Sequence, residues 1–214
     1  MTVGDVISYA RFGELSQLAV RNNVEAIVTY INMALVTIYG RFNIKTEEAI
    51  LSLKSGKTLY LLDGTDADVT VAGVVMPAND VMVIVEAFDE YGRIPLNAED
   101  DEFSIHTPSY NSVQVPLTED DTYISIIYKQ NPTKIVYLDD ITTLTNIVPL
   151  PDLMLEPLLH YIGYRAHGAV DGKIQSENNT HYMRFEASCK RIDALGLIAS
   201  DDLNRSNSKK GFLV

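Results

Sequence analysis

The chain has 214 residues, with 17 basic and 29 acidic side chains and a formal net charge of −12. That length fits one or two domains of roughly 100–200 residues, and the 46% hydrophobic content argues for a packed core over disorder. One cysteine, Cys189, excludes an intramolecular disulfide framework and a paired-cysteine zinc site, and the acidic balance opposes general binding to nucleic-acid phosphates.

Met1 to Ala10 contains neither a basic leader nor an apolar run, so no secretory signal is expected there. Val3 to Phe12 reads as a short helix, with Gly13 near its end. Val24, Ile27, Val28, Ile31, Leu35, Ile38 and Phe42 then recur at three- and four-residue steps, which predicts a helix from about Asn23 to Arg41. Asn22 or Asn23 can cap its start. Ala26 to Tyr39 is the most apolar stretch, but Thr29, Asn32 and Thr37 interrupt it and it is too short to span a bilayer.

The middle of the chain changes character. Thr58 to Leu62, Asp68 to Val75, Val81 to Phe88, Ser112 to Pro116, Tyr123 to Lys129 and Thr133 to Leu138 are short and rich in Val, Ile, Tyr and Thr. Gly, Pro, Asn and Asp lie at their boundaries, so they read as strands joined by turns. Leu96 to Pro108 lacks periodicity and reads as a long loop. An antiparallel sandwich or barrel-like module is the expected product. Helical spacing returns after Pro149-Leu150-Pro151-Asp152: Leu155, Leu158, Leu159, Ile162, Ala166 and Ala169 share one face. Pro157 either kinks that helix or marks its start. Asp171-Gly172 ends it. A last helix follows from Ser176, with Tyr182, Phe185, Cys189, Ile192 and Leu195 on its face and Gly196 as its stop.

Charge divides the chain at the same places. Residues 1–42 are neutral overall, residues 43–148 carry −12, residues 149–198 carry −1 and residues 199–214 carry +1. The expected organisation is an α+β chain. Residues 1–42 and 149–198 form one helical domain, 43–148 an acidic β-rich insert, and 199–214 an extended C-terminal tail.

Few residues suggest chemistry. Asp63-Gly64-Thr65-Asp66-Ala67-Asp68 spaces carboxylates like a calcium loop. The EF-hand pattern, however, needs Gly at its sixth position and Glu at its twelfth, and Asp68 and Val74 stand there. A polar hairpin turn is the better reading. Glu99-Asp100-Asp101-Glu102 and Glu119-Asp120-Asp121 are acidic clusters. Glycosidase chemistry needs one carboxyl shielded enough to stay protonated, whereas adjacent acids favour a solvated rim that meets or repels partners. His160 and His167 share a helix face, and His181 can approach them from the next helix. Three histidines without a carboxylate at fixed spacing are a weak metal signal, and polar positions beside the core are the stronger reading. Cys189 falls on an apolar stripe and reads as a buried thiol. No catalytic, cofactor-binding or metal-ligating set is assigned.

After Gly196 the chain becomes polar and basic, with Arg205, Lys209 and Lys210, and the sequence closes on Phe212, Leu213 and Val214. Frayed termini are common, but apolar anchors beside positive charge also suit a segment that orders only on a partner.

Taken together, Thr2-Val3-Gly4-Asp5-Val6-Ile7, the long helix Ile27 to Phe42, the acidic insert, Val148-Pro149-Leu150-Pro151-Asp152, Leu158 to Ala166 and Ile192-Asp193-Ala194-Leu195-Gly196 resemble the head-to-tail adaptors of short-tailed bacteriophages. The run from Leu150-Pro151-Asp152 to Tyr164-Arg165-Ala166 carries the resemblance most specifically. The resemblance implies a non-enzymatic virion protein without cofactors. It assembles as a ring, usually of twelve copies, beneath the portal, extends the DNA channel and docks the tail nozzle. Its partners are then its own copies, the portal, the nozzle or tail tube, and genome DNA passing without specific binding, with no membrane. The expected location is the virion's head-to-tail interface, and the host cytoplasm during assembly. Leu203, Arg205, Lys209, Lys210, Phe212, Leu213 and Val214 are the expected portal-binding residues, in a segment that orders on docking. Glu99, Asp100, Asp101 and Glu102 are expected to face the tail or the channel. Two other classes stay open at this point. A virion-associated cell-wall hydrolase would lose cell-wall clearing when Glu99 or Glu102 is neutralised, and a carbohydrate- or receptor-binding β module would bind its ligand through residues 43–148 alone.

Overall fold

Thr2 opens the first helix with a capping box: Asp5 N donates to its hydroxyl at 3.2 Å, and Thr2 N donates to Asp5 Oδ2 at 2.8 Å. Helix α1, Val3–Phe12, buries Val3, Val6, Ile7 and Ala10. Asn23 caps helix α2, Val24–Arg41, by accepting from Ala26 N at 3.0 Å. The face predicted from spacing is the buried one, with Val24, Ile27, Val28, Ile31, Leu35 and Ile38 inside. The computed structural model describes residues 1–99, 101, 103–116, 122–171, 176–196 and 198. The chain divides into two compact units, Met1–Asn43 with Pro132–Val214, and Ile44–Asn131.

Among the described residues, the second unit contains nine strands: β1 Thr46–Ser52, β2 Leu59–Leu61, β3 Val69–Val71, β4 Val74–Val75, β5 Val81–Asp89, β6 Gly92–Ile94, β7 His106–Ser109, β8 Ser112–Gln114 and β9 Tyr123–Gln130. They form a six-stranded sheet in the order β4-β3-β1-β9-β5-β6 and a three-stranded sheet in the order β2-β8-β7. All their pairings are antiparallel. The register of β1 against β9 sets Ala49 opposite Ile126 and Leu51 opposite Ile124, so one face of the pair is apolar and buried. Tyr60, Leu62, Val113 and Val115 join these residues in one hydrophobic cluster drawing on both sheets. The antiparallel β-rich insert is therefore present. The six-stranded sheet is open, with β4 and β6 as its outer strands, and does not close into a barrel.

Several predicted elements need correction. The run Asp68 to Val75 is a hairpin, not one strand: the chain reverses at Ala72 and Gly73, both with positive φ. The supposed loop Leu96 to Pro108 contributes β7, and β1 was not expected. Thr133 to Leu138 is not a strand and lies in the first unit. It runs extended beside α2, where Asn32 acts as a substitute strand edge. Asn32 Nδ2 donates to Ile135 O at 2.8 Å, and Ile135 N donates to Asn32 Oδ1 at 2.9 Å. Helix α3, Asp140–Thr145, follows, capped where Thr142 N donates to Asp139 Oδ1 at 2.6 Å. Replacing Asn32 by Ala strands both backbone groups of Ile135, a residue only 6% exposed. A loss of about 1–3 kcal/mol is expected in urea denaturation.

Helices α4, Leu155–Asp171, and α5, Ser176–Leu195, complete the first unit and pack against each other. Pro157 falls in the first turn of α4, where no N–H has an intrahelical partner, so it costs no helical hydrogen bond. Leu158, Ile162 and Ala166 face inward from α4, and Phe185, Cys189 and Ile192 from α5. Gly196 stops α5 at φ +62°, the left-handed conformation that glycine adopts without a Cβ penalty.

Candidate functional site

Each unit presents its own candidate features. The seven residues expected to bind a portal, Leu203, Arg205, Lys209, Lys210, Phe212, Leu213 and Val214, lie outside the described residues. Of the acidic run, Glu99 and Asp101 are described, and Asp100 and Glu102 are not. Glu99 is exposed and Asp101 is half-buried. Their loop is tied down locally. Phe103 N donates to Asp101 Oδ1 at 2.9 Å, Ala98 N donates to Ser104 Oγ at 2.9 Å, and Thr107 N donates to Asn97 Oδ1 at 2.8 Å. Glu99, Asp101, Ser104, His106 and Gln114 line a shallow groove beside this loop. The arrangement presents exposed negative charge on an ordered turn, a surface suited to electrostatic selection of partners.

The other carboxylate motif is consumed by structure. Lys57 Nζ lies 2.6 Å from Asp66 Oδ1 and 2.7 Å from Asp68 Oδ2, and over the Tyr60 ring at 4.5 Å from its centroid. Asp63 Oδ1 accepts from the Thr65 hydroxyl and from Thr65 N at 2.9 Å, which in that order hold its carboxyl below the usual carboxylate range. Gly64 has φ +85°, and a Cβ there would come within 2.7 Å of Met76 O, so the turn requires glycine. These carboxylates serve a polar turn, as the sequence suggests, but it is not a hairpin, because it passes from β2 in the three-stranded sheet to β3 in the six-stranded one.

The histidines do converge. His167 and His181 stack with ring centroids 4.8 Å apart, and His160 lies 6.5 Å from His181. Glu14, from the turn after α1, completes the group: its Oε1 lies 3.4 Å from His160 Nδ1, and its carbonyl oxygen lies 3.2 Å from His167 Nε2. The His160 ring holds the Glu14 carboxyl below its ordinary value, and burial holds the His181 imidazole below its own. Among the described residues, no group of three or more His, Cys, Asp or Glu side chains is placed to hold a metal ion. Glu14 escaped the sequence reading because it stands 146 positions from His160 and belongs to no local pattern.

Arg41 Nη1 donates to Glu186 Oε2 at 2.8 Å, and Arg41 Nη2 lies 3.7 Å from Asp193, a clamp from α2 to α5 that spacing does not reveal. Cys189 is buried, and burial pushes its thiol up to about 12, so it is protonated and unreactive near neutral pH. Of the helix tyrosines Tyr9, Tyr30, Tyr39, Tyr161 and Tyr164, only Tyr9 is exposed. Tyr39 is buried and donates its hydroxyl to Pro149 O at 2.7 Å. Tyr161 and Tyr164 turn toward Phe185 and Tyr182. Among the described residues, no helix is long and apolar enough to cross a membrane.

A family model described as SU10 adaptor protein matches residues 1–209. The chain belongs to the SU10 adaptor protein family. No curated protein matches it at a significant level. The match takes in both flanks of the adaptor and its β-rich insert, so it covers the whole order of elements read from the sequence. Membership supports a structural head-to-tail connector role in a bacteriophage virion, with portal and tail components as the implied contacts and DNA passing through. A non-catalytic structural role for this adaptor is consistent with its family.

Proposed function

We propose that the chain assembles as a ring of twelve copies beneath the portal at one capsid vertex. There it extends the DNA channel and docks the tail nozzle. The observation that carries this reading is the family match across residues 1–209. Exposed apolar side chains on the helical unit supply material for contacts between copies: Phe12 is 90% exposed, Ile141 81% and Leu138 66%. Head-to-tail contacts around a ring use two different faces of each copy and close on themselves.

In this reading residues 199–214 form the portal-binding tail. Phe212, Leu213 and Val214 enter an apolar groove, with Leu203 beside them, and Arg205, Lys209 and Lys210 meet acidic portal surface. The β-rich insert, now bounded at 44–131, carries Glu99, Asp100, Asp101 and Glu102 toward the nozzle or the channel. An acidic wall repels DNA phosphates and prevents sticking during ejection. The protein is then made in the host cytoplasm and ends in the virion. Quantitative mass spectrometry of purified virions tests this: the chain should be present in fixed proportion to the portal. Virions that contain portal and no copy of this chain would refute it.

A further inference from the structure

Lys57 stands in a site that holds more than an ion pair needs. Its Nζ lies 2.6 Å from Asp66 Oδ1 and 2.7 Å from Asp68 Oδ2, so one amine is held by two carboxyls at once. The ring of Tyr60, a fully buried residue, has its centroid 4.5 Å from the same nitrogen and limits where it can move. An amine hydrogen-bonded to a carboxyl oxygen lies about 3–3.5 Å from the carboxyl carbon, the separation of a near-attack arrangement.

The two carboxyls are not equivalent. The Asp66 side chain is 8% exposed, and that of Asp68 is 30% exposed. Leu61 N donates to Asp66 Oδ2 at 3.1 Å, and Asp68 N donates to Asp66 Oδ1 at 3.1 Å. Two fixed backbone N–H groups therefore aim at the carboxyl whose carbon the amine faces, and charge that builds on its oxygens during attack meets donors already in place. Asp68 grips the amine from its other side, within reach of its protons.

From this arrangement we propose that Lys57 and Asp66 join in an amide bond that the protein forms by itself, with Asp68 as the proton carrier. Lys57 rests as the ammonium: burial works to lower its value, but hydrogen bonds to Asp66 and Asp68 raise it above the usual lysine value. The reactive amine forms when Asp68 takes a proton from Nζ, so the reaction is slow. The nitrogen lone pair then attacks Asp66 Cγ, and the Leu61 and Asp68 N–H groups hold the tetrahedral centre. Asp68 passes two protons in turn from nitrogen to Oδ1, the Cγ–Oδ1 bond breaks, and one water leaves. Asp68 ends as a carboxylate, and Oδ2 stays as the amide oxygen with Leu61 N as its donor. No oxidant or cofactor enters. The burial of Asp66 keeps water from reversing the step. The bond closes a loop across β2 and fixes the turn that leads from one sheet to the other.

Intact mass measures the outcome. The purified full chain, kept for several weeks near neutral pH and then denatured, should be lighter by one water than its sequence requires. After trypsin the deficit should lie in a peptide from Ser55 to Arg93 with Lys57 uncleaved, because an acylated lysine no longer directs cleavage. Lys57→Arg keeps the charge and cannot form this bond, so it should retain its full sequence mass. It also separates the amide from water loss by ring closure at Asp63-Gly64, which does not involve Lys57. Asp68→Asn should slow formation of the bond about 10²–10⁴-fold. A full chain that stays at its unreduced sequence mass would overturn the proposal, as would a deficit that survives Lys57→Arg or appears equally fast in Asp68→Asn.

Discussion

Removal of residues 203–214 is expected to abolish stable attachment to a portal ring while leaving the circular dichroism of the protein unchanged. No helical or strand pattern in the sequence involves these residues, so the fold should not depend on them. Attachment should depend on them strongly. Burying one large apolar side chain is worth about 1.5–3 kcal/mol, so Phe212, Leu213 and Val214 together offer roughly 5–9 kcal/mol. Ordering a segment on binding consumes about 2–5 kcal/mol or more. The net contribution of one tail is small, and repetition around a ring makes it decisive through avidity. Co-sedimentation with portal measures the result. Equal decoration of portals by the full and shortened chains would move the docking surface to the helices.

The largest effect on stability should come from Phe185→Ala. Phe185 is 1% exposed, and its ring packs edge-on against Tyr161 with centroids 5.3 Å apart. Tyr161 belongs to α4, so the ring joins the two helices, and Tyr182 of α5 also adjoins it. Truncation removes both the transfer free energy and the packing around the hole left behind. The cost should be about 3–5 kcal/mol in chemical denaturation. Arg41 clamps the same helix through Glu186 and Asp193, both part-exposed, and substituting it should cost less than losing the ring. A smaller loss for Phe185→Ala than for Asn32→Ala would mean that the site collapses around the missing ring.

Helices α1, α2, α4 and α5 were legible because each has one apolar face at helical spacing and a chemical start or stop, whereas the six-residue α3 is too short to show a period. Thr2 and Asn23 cap, and Gly196 terminates. Strands buried among strong β-formers were legible for the same reason, as with β5 and β9. Strand β1 was not, because its Thr46-Glu47-Glu48-Ala49 start resembles a helical surface, and only pairing with β9 and β3 makes it a strand. Thr133 to Leu138 erred the other way. Its β-branched residues suit an extended backbone, but its partner is the Asn32 side chain and not a neighbouring strand. The histidines were placed near one another by helix spacing, but the carboxylate that completes the group comes from the distant turn at Glu14. The acidic loop was legible as charge. What it meets depends on a partner's surface, and charge pattern alone specifies only the sign of that surface.

Mass measurement of the particle formed with a purified portal ring tests the connector assignment most directly. The full chain, mixed at micromolar concentration, should add one fixed step to the portal mass, equal to twelve copies of the 23.8 kDa chain. The step should saturate and leave no intermediate ladder, because head-to-tail contacts are complete only when the ring closes. A portal mass that stays unchanged, with all of the chain recovered as free monomer, would contradict the account.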